Sequence, residues 1–470
     1  MSLAVDDDRA RDTLLADAEW GATFREIERI AGGRLVAAQR QERWRPAWFC
    51  ELERDGKRFG VYYRGDRGVQ DDGVETLRRE MEVLRTLAAN GIPVSHVYGF
   101  CETRPGIVME TSHGRANLAT AESEDERRAV LDDYLDRLAE IHALDPRLFE
   151  KLGMPMPRTP EQRSLADLPR WESLYRRCKN QPEPVIELAL GWLRENVPAH
   201  RERVSCLVGD SGQFLFERGR VTAILDVELA TIGDPLADIG ALLSRDLSEP
   251  LGDLSRGIAR YRERTGDAFE TRDVLYQAVR FAIFTPMATC WLCAAPPPGL
   301  NLVQYEAWNL VYGRVPLQLI AELEEVEIEP PELPAPRDHR YAVVLDALVR
   351  ELAAPGGADA YRIDLARRIA EYAREIDRRG ARLEEQDLDE AGALLGRRPQ
   401  SWRGADAELE RRAIAAGRAE RPALLRLLVR RSLRREALLG PAIRELAGAR
   451  AQVIRLPNPF VLEPRPRGAL

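Results

Sequence analysis

Apolar and polar positions along the first hundred residues predict mostly strands. Two apolar-rich runs, Trp48–Arg54 and Arg58–Arg64, flank Asp55-Gly56. Both residue types tolerate the positive φ that a two-residue hairpin turn requires, so the runs predict a tight hairpin. From about Val74, Leu77, Met81, Leu84 and Leu87 recur at three- and four-residue spacing and predict the one helix of this stretch. Asn90-Gly91 ends it and Pro93 prevents its continuation. Further short strands are expected around Val94–Phe100 and Gly106–Thr111. From about residue 112 the pattern turns helical. Ser123 and Glu126 have capping-box spacing ahead of a helix carrying Leu131, Leu135, Leu138 and Ile141. The exception is Val204–Leu225, where two short apolar runs flank polar turns, with Gly219 and Arg220 expected between two strands. Beyond Arg340, Tyr341–Leu352, Arg362–Arg379, Ala407–Ala416 and Ala423–Leu446 all show helical apolar spacing.

Length and charge turn this pattern into a domain expectation. A chain of 470 residues suggests about three structural units. The segment Glu327–Arg340, EIEPPELPAPRDHR, is proline-rich and acidic and favours extended chain. It also marks a change from a net acidic to a net basic sequence. The expected division is an N-terminal lead (1–19), a strand-rich lobe (20–111), a helical lobe with an embedded hairpin (112–326), a linker (327–340) and a helical C-terminal domain (341–470). Six cysteines do not make a disulfide framework in a chain this long. The first residues are acidic and lack the basic and apolar regions of a signal peptide. The longest uncharged stretch, Phe281–Tyr305, is interrupted by Pro286 and by Pro296 to Gly299. The expectation is a cytoplasmic protein with no membrane span. Only three lysines occur, Lys57, Lys151 and Lys179, which restricts any mechanism requiring one.

Candidate chemistry concentrates in Cys206–Gly240, CLVGDSGQFLFERGRVTAILDVELATIGDPLADIG. Asp210 and Asp226 each follow an apolar run, and a hairpin between them could set the two carboxylates side by side. Such a pair can bind Mg²⁺ and orient a hydroxyl for phosphoryl transfer, a reaction that depends on positioning and charge neutralisation. Two aspartates beside turns are equally what an ordinary solvated turn contains.

LDVELATIGDPLADIGAL resembles the catalytic region of the aminoglycoside phosphotransferase and choline kinase-like family, including the kinase-like domains associated with acyl-CoA dehydrogenases. In that family a His-Gly-Asp loop and a metal-binding Asn precede a strand ending in Ile-Asp-Trp-Glu, and Gly-Asp-Pro-x-x-Asp-Leu-Ala opens the next helix. The resemblance puts Asp226 at the Mg²⁺ position, Glu228 at the acidic residue two places on, and Asp234 and Asp238 at a structural bracing pair. Val208-Gly209-Asp210 stands where His-Gly-Asp is expected, and Gln213 where the Asn is. Counting back from Asp226 without gaps puts Val208 at the catalytic position; a two-residue deletion puts Asp210 there and retains the Gly-Asp pair, and is preferred. Arg78–Val94 resembles the family's helix C, with Glu80 at its glutamate. Ile107–Arg115 resembles the hinge, whose backbone near Met109 and Glu110 would meet adenine. The β3 lysine has no counterpart, and Arg64 is the best substitute. Gly32 and Gly33 fit the place of a phosphate-covering loop, although a Gly-Gly pair serves an ordinary turn equally well.

The resemblance implies an α+β, protein-kinase-like two-lobe fold, with a small antiparallel-sheet lobe, a mainly helical lobe, and an all-α C-terminal domain after them. It implies an ATP- and Mg²⁺-dependent phosphotransferase acting on a hydroxyl of a small metabolite or antibiotic-like acceptor. Asp210 would be catalytic, Asp226, Gln213 and Glu228 metal-binding, and Arg64, Glu80, Met109, Glu110, Gly32 and Gly33 nucleotide-binding. The altered loop and missing lysine motivate a second expectation, a pseudokinase serving as a nucleotide- or partner-binding module.

Three other features have plainer readings. Cys290 and Cys293 have metal-like spacing but no completing ligands, and read as buried helix cysteines. His142, at a helix end, reads as structural. The tract Arg421–Arg450 has eight arginines against two acids but no interleaved aromatics. It reads as the polar face of a helix docking on the acidic catalytic domain rather than a nucleic-acid surface. A second copy or a protein partner would be expected to attach through these C-terminal helices.

Overall fold

The computed structural model describes residues 2–41, 45–66, 73–298, 300–337, 342–353 and 360–457. These divide into two compact units. The first comprises 1–157, 203–238 and 251–253; the second comprises 158–202, 239–250 and 254–470.

In the first unit, helices α1 (Ser2–Ala16) and α2 (Gly21–Ala31) precede strands β1 (Arg34–Arg40), β2 (Ala47–Arg54) and β3 (Lys57–Gly65). Helix α3 (Gly73–Ala89) leads to β4 (Val97–Cys101) and β5 (Gly106–Glu110). The five strands form one antiparallel sheet in the order β1-β2-β3-β5-β4. The expected hairpin is present: Asp55 and Gly56 form its turn at φ 53° and 72°, and Arg54 pairs with Lys57. Gly65 closes β3 beside the Pro46 carbonyl, to which its N–H donates at 2.8 Å.

The reading of this stretch as strands with a single helix is corrected by α1 and α2. Trp20, Phe24, Ile27 and Ala31 have helical spacing and cover one sheet face, packing with Leu35, Cys50, Leu52, Val61, Tyr63, Cys101 and Val108. The Trp48 ring lies 5.1 Å from Phe24 and 5.2 Å from Trp20. Burial of each such large side chain contributes about 1.5–3 kcal/mol. The opposite face carries Arg64, Tyr62, Ala47, Phe49, Ile107 and Met109. This follows from the pairings Arg64↔Ala47, Tyr62↔Phe49, Arg64↔Ile107 and Tyr62↔Met109, since directly opposed residues share a face.

Glu26 on α2 ties this packing to the β4–β5 turn, accepting from Thr103 N at 2.8 Å and Cys101 Sγ at 3.2 Å. Burial works against its charge, but these bonds outweigh it and hold the carboxyl down at about 2. A depressed folded-state value means that the stabilisation is complete above the ordinary glutamate range and is lost as pH falls toward 2. Glu26→Gln should therefore flatten the acid limb of thermal stability between about pH 4.5 and 2. An unchanged limb would show that the bonds carry no net stabilisation.

Helix α4 (Glu124–His142) starts as expected, with Ser123 Oγ accepting from Glu126 N at 3.1 Å. The reciprocal half of the capping box is diverted: the Glu126 carboxylate accepts instead from Glu122 N and from Arg115. Four short strands follow: β6 (Ser205–Leu207), β7 (Phe214–Glu217), β8 (Arg220–Ile224) and β9 (Thr231–Gly233), paired β6–β9 and β7–β8. The β7–β8 turn is centred on Arg218 and Gly219, at φ 52° and 76°, rather than on Gly219 and Arg220.

The second unit is helical in all its described elements. Residues 342–457, expected as a separate helical domain, lie in this unit with helices Pro184–Glu195, Thr271–Ala294 and Leu302–Leu323. Ion pairs join the two stretches: Arg421 to Glu324 at 2.5 Å and to Glu195, Arg314 to Glu436 at 2.5 Å, and Lys179 to Glu410. Arg430, Arg431 and Arg434 of the basic tract meet Glu390, Asp387 and Asp406. These three arginines face carboxylates of the same C-terminal stretch, while Arg421 and Arg435 of the tract meet Glu195, Glu324 and Glu306 of the earlier helices. Cys290 and Cys293 lie on one helix, and burial pushes both thiols up. No helix among the described residues is long and apolar enough to cross a membrane.

Candidate active site

The loop between β6 and β7 carries Asp210, and its backbone is held from two sides. The Asp238 carboxylate, at the start of helix Leu236–Arg245, accepts from Val208 N and Gly209 N, each at 2.9 Å. The same carboxylate meets His142 Nε2 at 3.0 Å, and both side chains are fully buried. On the other side Tyr134 Oη accepts from Gly212 N at 2.7 Å and bonds Ser211 Oγ at 2.9 Å. Gly209 is required for two reasons. Its φ is +88°, and a Cβ there would lie 2.2 Å from the Leu229 carbonyl oxygen. Asp234 caps the following helix through Leu236 N at 3.0 Å. Asp234 and Asp238 thus hold structure, and His142 orients Asp238.

Gln213 links the loop to the strand pair. Its backbone carbonyl accepts from Leu225 N at 3.0 Å, and its side-chain amide nitrogen donates to Asp210 Oδ2 at 2.6 Å. Asp226, immediately after Leu225, adopts the left-handed conformation at φ 56°, ψ 56°. Aspartate tolerates that region better than most residues, and such conformations concentrate at functional sites.

Asp226 meets the sheet through Arg64, on which three carboxylates converge. Arg64 Nη2 lies 2.5 Å from Asp226 Oδ1 and 3.4 Å from Glu228 Oε2, while Nε donates to Glu80 Oε2 at 3.1 Å. The side chains of Arg64 and Glu80 are 8% and 3% exposed, so Glu80 of α3 and Arg64 of β3 form a buried ion pair. Burial works against the charge of Arg64, but Asp226, Glu80 and Glu228 outweigh it and hold its pKa up. Burial raises the Glu80 carboxyl; Arg64 opposes that rise, and Glu228 and Asp226 add to it. Glu228, expected among metal ligands, is engaged by two guanidiniums, with Arg45 Nη2 at 2.5 Å from Oε2.

The expected nucleotide residues divide. Met109 lies on the Arg64 face of the sheet, paired with Tyr62. Glu110 is exposed, and its N–H donates to His96 O at 2.8 Å, so a hinge contact there would fall on its carbonyl. Gly32 and Gly33 stand elsewhere. They terminate α2, both N–H groups donating to Glu28 O, with Gly32 left-handed. They precede β1 at the end of the sheet where Arg34 pairs with Glu53, opposite the end where Ala47 pairs with Arg64. The physical reason is a helix C-cap, which needs glycine's positive φ as much as a loop does. The β1–β2 connection runs from Gln41 to Pro46 instead, and residues 42–44 of it lie outside the described residues. Lys57 begins β3 at the far end from Arg64. Arg45 escaped the sequence reading because nothing separates it from the many other arginines.

Among the described residues no group of three or more His, Cys, Asp or Glu side chains is arranged as a metal cage. A Mg²⁺ site needs none, since this ion is usually held by one or two carboxylates together with water and phosphate oxygens. The hard oxygen donors of Asp226 and Gln213, with the Arg64 guanidinium beside Asp226, fit a Mg²⁺-polyphosphate group.

The site thus combines a sheet carrying a buried arginine–glutamate pair with a braced aspartate loop and a second aspartate. Residues 67–281 match the model of the phosphotransferase enzyme family, APH. The chain is similar to acyl-CoA dehydrogenase family member 11 of Mus musculus, 30% identical over 179 residues, 35% of this chain and 22% of the relative. It is 28% identical over 180 residues to family member 10 of the same species, 35% of this chain and 16% of the relative. The chain therefore spans a minor part of the curated relatives it matches. Among solved structures it is similar to a putative aminoglycoside phosphotransferase from Ralstonia eutropha, with 18% identity, 62% of this chain, 93% of that one and a TM-score of 0.47. A macrolide 2'-phosphotransferase from Brachybacterium faecium covers 59% of this chain at 18% identity, with 94% of its own chain matched and a TM-score of 0.43.

Proposed function

We propose that this chain is an ATP- and Mg²⁺-dependent phosphotransferase that acts on a hydroxyl group of a small molecule. The observation that carries the reading is the junction of Arg64, Glu80 and Asp226, with Asp210 on a separately braced loop nearby in sequence. When bound, Mg²⁺-ATP supplies a transferable phosphoryl group with part of its charge neutralised. Asp226 offers the cation a carboxylate, and the Gln213 amide oxygen is a second donor. Arg64, fixed by Glu80, presents its Nη2 edge to phosphate oxygens in place of a lysine. Asp210 orients the acceptor hydroxyl and takes up its proton, and Gln213 Nε2 fixes the rotamer of that carboxylate.

A second reading rests on the same loop. Val208 replaces the expected histidine, and the amide that would ligate metal is bonded to Asp210. On that reading the chain is a kinase-shaped nucleotide- or partner-binding module. Calorimetry with ATP and Mg²⁺ tests the nucleotide site. Binding is expected with the wild type and should weaken about a hundredfold or more in Asp226→Ala, since the carboxylate is the principal metal donor. Equal binding by both would remove Asp226 from the site. Phosphate transfer to a hydroxylated acceptor then separates the enzyme from the module.

A further inference from the structure

Arg45 lies immediately after residues 42–44 and just before β2, with its side chain 2% exposed. It meets Glu228 Oε2 at 2.5 Å, and the same oxygen lies 3.4 Å from Arg64 Nη2. Glu228 thus sits between two guanidiniums and is held more closely by Arg45. Arg64 additionally contacts Glu80 and Asp226. Two arginines against three carboxylates leave the cluster with one excess negative charge when all are ionised. An anionic polyphosphate is a poor ligand for such a cluster unless Arg64 can exchange a carboxylate for phosphate oxygens.

We infer that Arg45 is a positioning residue for nucleoside polyphosphate, an inference that rests on the nucleotide reading above. By holding Glu228, it keeps that carboxylate from closing on Arg64 and leaves the Arg64 Nη2 edge able to exchange partners. Without Arg45, Glu228 retains the Arg64 guanidinium 3.4 Å away, and three carboxylates compete with phosphate for Arg64. The loss falls on the phosphates. A nucleoside without phosphates should bind as before.

The test is calorimetry of the full chain in Mg²⁺ with ATP and, separately, adenosine. It compares the wild type, Arg45→Met, Arg45→Lys, and the double variant Arg45→Met with Glu228→Gln. Removing one charge at this range should weaken ATP binding by about tenfold or more. Adenosine affinity should stay within about twofold, and the double variant should recover most of the ATP affinity, because the Glu228 carboxylate no longer competes with phosphate for Arg64. Arg45→Lys, which keeps the charge, should stay within about threefold of wild type and serves if the methionine variant fails to fold. Equal losses for ATP and adenosine would reduce Arg45 to a structural residue and overturn the proposal. A double variant as weak as Arg45→Met would also overturn it, since Glu228 would then not be the competitor. Wild-type protein that binds neither ATP nor adenosine removes the nucleotide site, and this inference with it. Adenosine binding that ignores Arg45 while ATP binding depends on it through Glu228 upholds both.

Discussion

Asp210→Asn should lower turnover by about 10²–10⁴-fold, the usual contribution of a positioned proton acceptor, while nucleotide affinity stays within about threefold. The substitution keeps the size and one oxygen of the side chain but cannot take a proton. Its surroundings make the change specific. The loop is held by Asp238 and Tyr134 through backbone groups of Val208, Gly209 and Gly212. The Asp210 carboxylate accepts from the Gln213 side-chain amide at 2.6 Å. Arg64 donates to both Glu80 and Asp226. Single-turnover kinetics beside ATP calorimetry checks the expectation. Unchanged turnover would exclude Asp210 as proton acceptor, and lost ATP binding would mean that the residue supports the nucleotide site instead.

The second large effect is expected in stability as well as activity. Asp238→Ala removes the acceptor of two backbone N–H groups and the partner of His142, all buried. Each buried group left without a partner costs about 1–3 kcal/mol, so a loss of about 3 kcal/mol or more is expected from the site together. The loop carrying Asp210 should lose its conformation in the same variant. Asp238→Asn is the informative contrast. It keeps one acceptor oxygen but turns an NH₂ group toward a donor, so it should fall between alanine and wild type. Denaturant unfolding with turnover measured on the remaining folded protein tests both variants. Wild-type stability in Asp238→Ala would show that the bracing bonds are replaced by water at no cost.

Some of the fold was legible because it rests on local chemistry. The Asp55-Gly56 turn needs positive φ at two successive positions, and few residue pairs supply it. The Leu77, Met81, Leu84 and Leu87 repeat marks α3 without reference to any partner. Helix α2 was equally periodic, with Trp20, Phe24, Ile27 and Ala31, but its meaning depends on a sheet face that no local pattern describes. Gly32-Gly33 illustrates the converse error. A glycine pair reports a backbone conformation and not its purpose, and here the purpose is to end α2.

The same division runs through the candidate site. By itself the sequence determined which residues could do chemistry: Asp210 and Asp226 beside turns, the Gly-Asp-Pro-x-x-Asp brace, and an arginine where a lysine was sought. These are properties of residue type and short spacing, and they persist in any conformation of the chain. Only the tertiary structure decided the partners. Arg64 meets Asp226 across 162 positions and Arg45 meets Glu228 across 183. It also drew Glu228 toward two guanidiniums and tied Gln213 to Asp210. Ion pairing depends on distance and burial, and both are set by how β2, β3, α3 and the segment after β8 pack together, which spacing along the chain does not encode.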